Sequence, residues 1–222
     1  MADLDGDGEQ DLVSGSWPGD IHFFKGRGGR AFAAGTVIYK PAPDDSDPRF
    51  AGYSVLQSSS PWAADHDADG DLDLVVGQIW GKVFLLRNDG TPKAPRFADP
   101  VEILAGGKSL KTWLHKAGPC AADWDGDGLA DLVIGDERGL HWCRNAGTAK
   151  EPSYAEPERL LPGAFEGQYR LKPCVADWNG DGLLDLLVGS TYTARGADGK
   201  GGRTGGFVWV SLRERAGTAT AR

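Results

Sequence analysis

Apolar residues in this chain come in short runs, alternating or continuous over four to six positions and broken by Gly, Pro and Asn. That is the pattern of short, half-buried or buried strands, and no stretch sustains the 3.6-residue period of a helix. The runs keep a fixed order. A short segment such as "GPCAAD" or "KPCVAD" leads into an acidic loop, then "DLVIG" or "DLLVG" follows. After a turn comes a third run: "IHFFKG", "KVFLLRN", "LHWCRN" or "FVWVSLR". The first three units add a fourth: "RAFAAGTVIY", "RFADPVEIL" and "SYAEPERLL".

The acidic loops begin at Asp3, Asp65, Asp123 and Asp177, a recurrence every 54 to 62 residues. Self-similarity at that period, with four strands per unit, predicts an all-β chain of about four four-stranded antiparallel blades, a β-propeller architecture. The blades are expected at 1–50, 58–105, 117–162 and 171–222. The first lacks most of its innermost strand, and the last stops after its third. A length of 222 residues with 40% hydrophobic content supports a core, and 33 glycines and 13 prolines suit many turns. Four blades leave open sheet edges, which invite self-association. Three arrangements stand: a fragment of a larger propeller, which is favoured, a ring closed by a second copy, or a compact four-bladed form.

The formal charge of −8 is organised rather than spread. Positions 1, 3, 5 and 9 of the loops hold 15 of the 32 acidic residues, leaving 17 against 24 Lys and Arg. An Asp-Gly turn accounts for one aspartate and one glycine, not for four carboxylates at fixed spacing. Two carboxylates about 4 Å apart repel by roughly 1 kcal/mol in water and about 4 kcal/mol at an effective dielectric of 20. A cation removes that penalty, and calcium accepts six to eight flexible oxygen ligands. The expected ligands are Asp3, Asp5, Asp7 and Asp11; Asp65, Asp67, Asp69 and Asp73; Asp123, Asp125, Asp127 and Asp131; and Asp177, Asn179, Asp181 and Asp185. Backbone carbonyls of Glu9, Asp71, Leu129 and Leu183 complete each shell, for up to four Ca²⁺. Glycine at position six allows the left-handed turn around the ion. Position 12 is Ser14, Val76, Ile134 or Val188 instead of the bidentate Glu of a helical calcium hand, so the loops join strands. Asn179 removes one charge from loop four, which is expected to bind more weakly.

The "DxDxDGxxDLxVG" unit, followed by "RNxGT" at 87–91 and 144–148, resembles the FG-GAP/VCBS repeat family. Blades of that family occur in integrin α-subunits, propeller lectins and some polysaccharide lyases. The resemblance implies a calcium-stabilised module for extracellular recognition or adhesion, with a glycan or a protein as ligand. It also implies an extracellular, cell-surface or periplasmic location. Two other readings follow from the same blades: part of a polysaccharide-degrading enzyme, and a purely structural module of a large surface protein.

A ligand is expected on the end opposite the acidic loops, where inter-blade connections are long. Trp17, Arg49, Tyr53, Trp80, Lys111, Trp113, His115, Tyr169 and Arg170 are its candidates, because an aromatic face beside hydrogen-bonding groups suits a sugar ring. Trp124 and Trp178, second in their loops, are expected to pack on a neighbouring loop. Cys120, Cys143 and Cys174 lack metal-type spacing and read as small core residues, although Cys120 and Cys174 share a register that would suit a bridge between repeats. The four histidines form no catalytic pattern, and the chain is more readily a binding module than an enzyme. No phosphate loop, basic groove or membrane-length apolar run appears, so neither nucleic acid nor membrane insertion is expected.

Overall fold

The computed structural model describes residues 1–43, 54–110, 116–137, 139–195 and 202–214. Among them there is no helix. Blade 1 contains β1 (Leu12–Gly15), β2 (Ile21–Phe24) and β3 (Thr36–Tyr39). Its innermost strand is reduced to a single bridge between Ala2 and Asp11. Blade 2 has four strands: β4 (Ser60–Ala64), β5 (Asp73–Gly77), β6 (Val83–Leu86) and β7 (Val101–Glu102). A small hairpin of β8 (Leu104–Ala105) and β9 (Lys108–Ser109) follows it. Blade 3 repeats the four-stranded plan with β10 (Gly118–Ala122), β11 (Asp131–Gly135), β12 (Leu140–Cys143) and β13 (Glu158–Leu160). Blade 4 is built from β14 (Gln168–Ala176), β15 (Asp185–Arg195) and β16 (Gly202–Ser211). Every neighbouring strand pair in these sheets is antiparallel.

The blades stack face to face. Leu4, Ile21, Leu74, Val76 and Phe84 fuse blades 1 and 2 into one apolar cluster. Val75 and Val83 meet Leu132 and Ile134 across the second junction, and Cys120, Val133 and Leu140 meet Leu186 and Val188 across the third. The side chains of β5 and β11 are buried on both faces, which is why these strands read as continuous aliphatic runs.

Blade 4 departs from the expected short strands. Its three strands run 9, 11 and 10 residues. The β-forming stretch of Thr191, Tyr192 and Thr193 prolongs β15 beyond the aliphatic run, and Tyr192 stacks on Phe207 of β16 at 4.9 Å.

The glycine that ends the second strand of blades 1, 2 and 3 has a packing reason. A Cβ at Gly15, Gly77 or Gly135 would lie 2.2, 2.3 or 2.1 Å from the carbonyl oxygen of Ser59, Ala117 or Leu171 in the next blade. Only a bare Cα lets the inner strand of the following blade seat there. Gly135→Ala is therefore expected to destabilise by about 1–3 kcal/mol through overpacking, read as a lower melting temperature.

Lys172 of β14 ties three inner strands together. Its Nζ donates to the carbonyls of Ala117 and Lys116 at 3.1 and 3.3 Å and to Ser60 Oγ at 3.3 Å. The residue is exposed overall, but its ammonium sits among blade edges, where desolvation and the charge of Lys116 pull its pKa down to about 8. A folded value below the unfolded 10.5 means that the unfolded chain holds more protons between those limits, so stability rises with pH across that window. Lys172→Met is expected to remove this rise. Solvent screening keeps the difference on the order of 1 kcal/mol, and urea melts of both proteins at pH 7.5 and 10 measure it.

Candidate functional site

Each acidic loop is shaped by its own first aspartate, whose two oxygens accept the backbone N–H groups of positions five and six. Asp3 takes Asp7 and Gly8 at 3.0 and 2.9 Å, and Asp65 takes Asp69 and Gly70 at 3.1 and 3.2 Å. Asp123 takes Asp127 and Gly128 at 3.0 and 2.9 Å, and Asp177 takes Asp181 and Gly182 at 3.1 and 2.9 Å. The sixth-position glycines have φ between 84° and 97°, as the wrapping turn requires.

This folding gathers carboxylates. Oxygens of Asp3, Asp5 and Asp11, of Asp65, Asp67 and Asp69, and of Asp123, Asp125 and Asp127 lie within 4.8 Å of one another in their three loops. In loop four, Asn179 Nδ2 donates to Asp181 Oδ2 at 3.0 Å, so an amide donor stands where the other loops have a further carboxylate. Oδ1 of Asp5, Asp67 and Asp71 is buried without a hydrogen bond. Burial and the crowding of Asp69, Asp67 and Asp65 hold the Asp71 carboxyl above the usual carboxylate range. Orphaned anionic oxygens at the heart of convergent carboxylates fit a hard divalent cation.

The ninth aspartate has a structural task, which the expected ligand pattern does not reveal. Asp11, Asp73, Asp131 and Asp185 are almost fully buried. Oδ2 of each accepts the N–H of the loop's second residue: Leu4 at 2.8 Å, His66 at 3.1 Å, Trp124 at 3.2 Å and Trp178 at 3.0 Å. Oδ1 accepts an N–H just beyond the third strand: Gly26, Asn88 and Asn145 at 2.7 Å, and Arg213 at 2.9 Å. One carboxylate thus staples the loop to the exit of the third strand. Each oxygen keeps a further lone pair except Asp131 Oδ2, which also accepts Trp142 Nε1 at 2.9 Å, so in every loop at least one oxygen of the staple stays open to a ligand role. Burial drives the Asp73 carboxyl up to about 6 against the two backbone bonds that lower it.

Cationic side chains stand over two loops. Lys25 pairs with Asp5 and, at 2.7 Å, with Asp7; Arg144 reaches Asp125 at 2.8 Å and Asp127 at 3.0 Å. The hydrogen bond from Lys25 depresses the Asp7 carboxyl. The Leu129 N–H, and then Arg144, depress Asp127. The equivalent Arg87 turns to Asp89 at 3.0 Å, and Leu212 holds that register in blade 4. A basic residue immediately before the stapled amide, in three units of four, is the sequence signal for this counter-charge.

The opposite end carries a cleft of about 430 Å³ where blades 3 and 4 meet. Arg159, Phe165, Glu166, Gln168 and Tyr169 line it, with Gly139 from the β11–β12 turn. Tyr169 is exposed; Phe165 is buried edge-on against Trp209, with ring centroids 6.1 Å apart. Leu161 and Arg170 hold left-handed backbone at φ 46° and 57°, uncommon for residues with a Cβ. Of the other sequence candidates, Arg170 faces Glu137 at 3.9 Å rather than lining the cleft. Trp17 is exposed on the β1–β2 turn, and Trp80 lies on the β5–β6 turn, so neither joins Tyr169. Arg49, Tyr53, Lys111, Trp113 and His115 lie outside the described residues.

Sequence reasoning missed the pair of His141 and Asp136, which are buried with Nε2 and Oδ2 3.1 Å apart. Asp136 Oδ1 also accepts the Gly139 N–H at 2.9 Å, so the pair braces the turn beneath the cleft. The expectation for Trp124 and Trp178 divides. Trp124 lies under Arg213 of blade 4, 4.7 Å from ring centre to guanidinium, whereas Trp178 is 62% exposed. The three cysteines are free, with Cys120 and Cys143 fully buried. No helix among the described residues is long and apolar enough to cross a membrane.

The FG-GAP-like repeat matches this chain three times, over residues 3–76, 65–134 and 123–188. The chain belongs to the FG-GAP-like repeat family. Each match opens on one acidic loop and closes in the second strand of the following blade, so the family signature spans a junction. No curated protein matches the chain. Among solved structures, it resembles a lectin from Agrocybe aegerita described for specific recognition of non-reducing terminal N-acetylglucosamine. The two are 19% identical with a TM-score of 0.50, and the likeness covers 95% of this chain and 56% of the lectin. The chain thus spans just over half that lectin's length, and the likeness shows a shared fold.

Proposed function

We propose that this FG-GAP-like propeller segment is a calcium-stabilised recognition module whose ligand is a glycan. The cleft between blades 3 and 4 carries the reading: it sets an exposed aromatic face, Tyr169, beside the guanidinium of Arg159, the carboxylate of Glu166 and the amide of Gln168. A sugar ring needs that combination, since its C–H face is apolar and its hydroxyls take directed hydrogen bonds. Calcium belongs to the opposite end, where it would hold each hairpin in shape through the loop aspartates. Extracellular calcium modules bind at roughly 10⁻⁴ to 10⁻³ M, a range that supports a location outside the cytosol for this reading.

Glycans ending in N-acetylglucosamine are the first ligands to assay, because the resembling lectin is described by that specificity. A glycan array followed by calorimetry on the hits is expected to show saturable binding that Tyr169→Ala weakens at least tenfold. Binding indifferent to Tyr169→Ala, or none on the array, would reject the cleft as a sugar site.

A further inference from the structure

Blade 4 outruns the blade it packs on. Gly189 holds in β15 the place that Gly135 holds in β11, but β11 ends there, while β15 continues to Arg195 with β16 paired along it. Side chains alternate between the two faces of a sheet. Val188 packs with Val133 and Leu140 of blade 3, so it marks the face that its partner Trp209 shares, followed further out by Phe207 and Tyr192. That face is turned toward blade 3 and runs on beyond its strands.

The overhang carries a row of rings. Phe165 of the cleft wall meets Trp209 edge-on at 6.1 Å, Trp209 meets Phe207 at 5.8 Å, and Phe207 stacks on Tyr192 at 4.9 Å. Trp209 and Phe207 are both exposed. Two features show that the row is built. Tyr192 lies opposite Gly205, where a Cβ would run into its ring, so a bare Cα is what lets the ring rest there beside Phe207. Trp209 Nε1 donates to the buried Ser190 Oγ at 3.0 Å, and that hydroxyl donates to Gln168 Oε1 at 2.9 Å. Gln168 lines the cleft, so the row and the cleft share one hydrogen-bonded support.

We propose that this row forms further subsites continuing the cleft, and that the ligand is a linear polysaccharide held along several consecutive sugars. The proposal rests on the glycan reading of the cleft. Equatorially linked pyranoses present an apolar C–H face at each unit, and rings 4.9 to 6.1 Å apart succeed one another at about the length of one unit. Trp and Tyr suit such contacts because each joins a large apolar surface to a polar tip. A lipid surface would be met by rings at the tip of an arm. Here they lie along the flat of the ribbon and lead to the directed polar groups of the cleft.

Calorimetry with β-1,4-linked oligomers of N-acetylglucosamine and of glucose, from monomer to hexamer, tests the proposal. Affinity is expected to rise at least tenfold from disaccharide to hexamer, since each added unit binds as part of a chain already held. Phe207→Ala is expected to erase that gain. Val208→Ala, at its exposed neighbour on the opposite face, is expected to keep it, which separates ring contact from a general loosening of the ribbon. The shortest oligomers and their response to Tyr169→Ala read the cleft alone. Affinity independent of length overturns the proposal and leaves the cleft reading in place, and so does a length gain indifferent to Phe207→Ala. No binding by any oligomer of either series overturns both. Cosedimentation with phosphatidylcholine vesicles that Phe207→Ala abolishes, without a length gain, would assign the row to a membrane surface and overturn the proposal.

Discussion

Asp131→Ala is expected to destabilise the chain by about 3 kcal/mol or more, with calcium present or chelated. Its carboxylate accepts three donors: the N–H groups of Trp124 and Asn145, and Trp142 Nε1 at 2.9 Å. Each buried donor left without a partner costs about 1–3 kcal/mol. Asp125→Asn gives the contrast. Asp125 carries one exposed bond, from the Asp127 N–H at 3.2 Å, and an ion pair with Arg144. An asparagine oxygen still accepts the first, and an exposed ion pair contributes about 1 kcal/mol or less. In chelator, Asp125→Asn is therefore expected to melt close to the parent while Asp131→Ala melts far below it. Chemical denaturation of the three proteins in the same buffer checks the difference. If Asp131→Ala loses stability only when calcium is present, the stapling role is wrong.

Calcium itself is expected to produce the other large effect. A ligand confined to the folded form stabilises it by about 2.7 kcal/mol at 100 times its dissociation constant, and each occupied loop adds its share. Millimolar Ca²⁺ is expected to raise the melting temperature by several degrees over protein in chelator, and calorimetry is expected to show heat of binding. The loops are not equivalent. Loop two carries Asp71 beside its convergent aspartates, and its nearby Arg87 is engaged with Asp89, so it is expected to fill first. A cation entering loops one or three must displace Lys25 or Arg144, and loop four has one carboxylate fewer. Asp67→Asn is therefore expected to remove the tightest class of sites, and Asp181→Asn the weakest. Identical melting curves with and without chelator, and no heat of binding, would dismiss calcium.

The strands and their order were legible in the sequence because period-two and continuous apolar runs depend only on which face is buried, and four copies average out local noise. The loop positions were legible for the same reason. The staple was not. A buried aspartate that binds backbone amides and an aspartate that binds a metal look identical in one-letter code, and Asp131 differs from Asp125 only in what lies around it. The counter-charge of Lys25 and Arg144 left a trace in the repeat, but its target depends on a rotamer: Arg87 occupies the same register and turns away. Lys172 left no trace, since it reaches two blades far away in sequence from a position held by Ser60 and Gly118 in the units before it. At the end opposite the acidic loops, Tyr169 lines the cleft between blades 3 and 4, whereas Trp17 and Trp80 lie on turns away from it, a difference that the spacing of the repeats does not encode.

The glycine seat and the carbonyl that fills it belong to successive repeats, yet every repeat of the inner series encodes one of each. Unequal crossing-over between two acidic-loop coding regions would therefore delete or insert a whole unit and still leave each remaining seat opposite a matching carbonyl. Such a gene can change its number of units in single recombination events without passing through a misfitted intermediate.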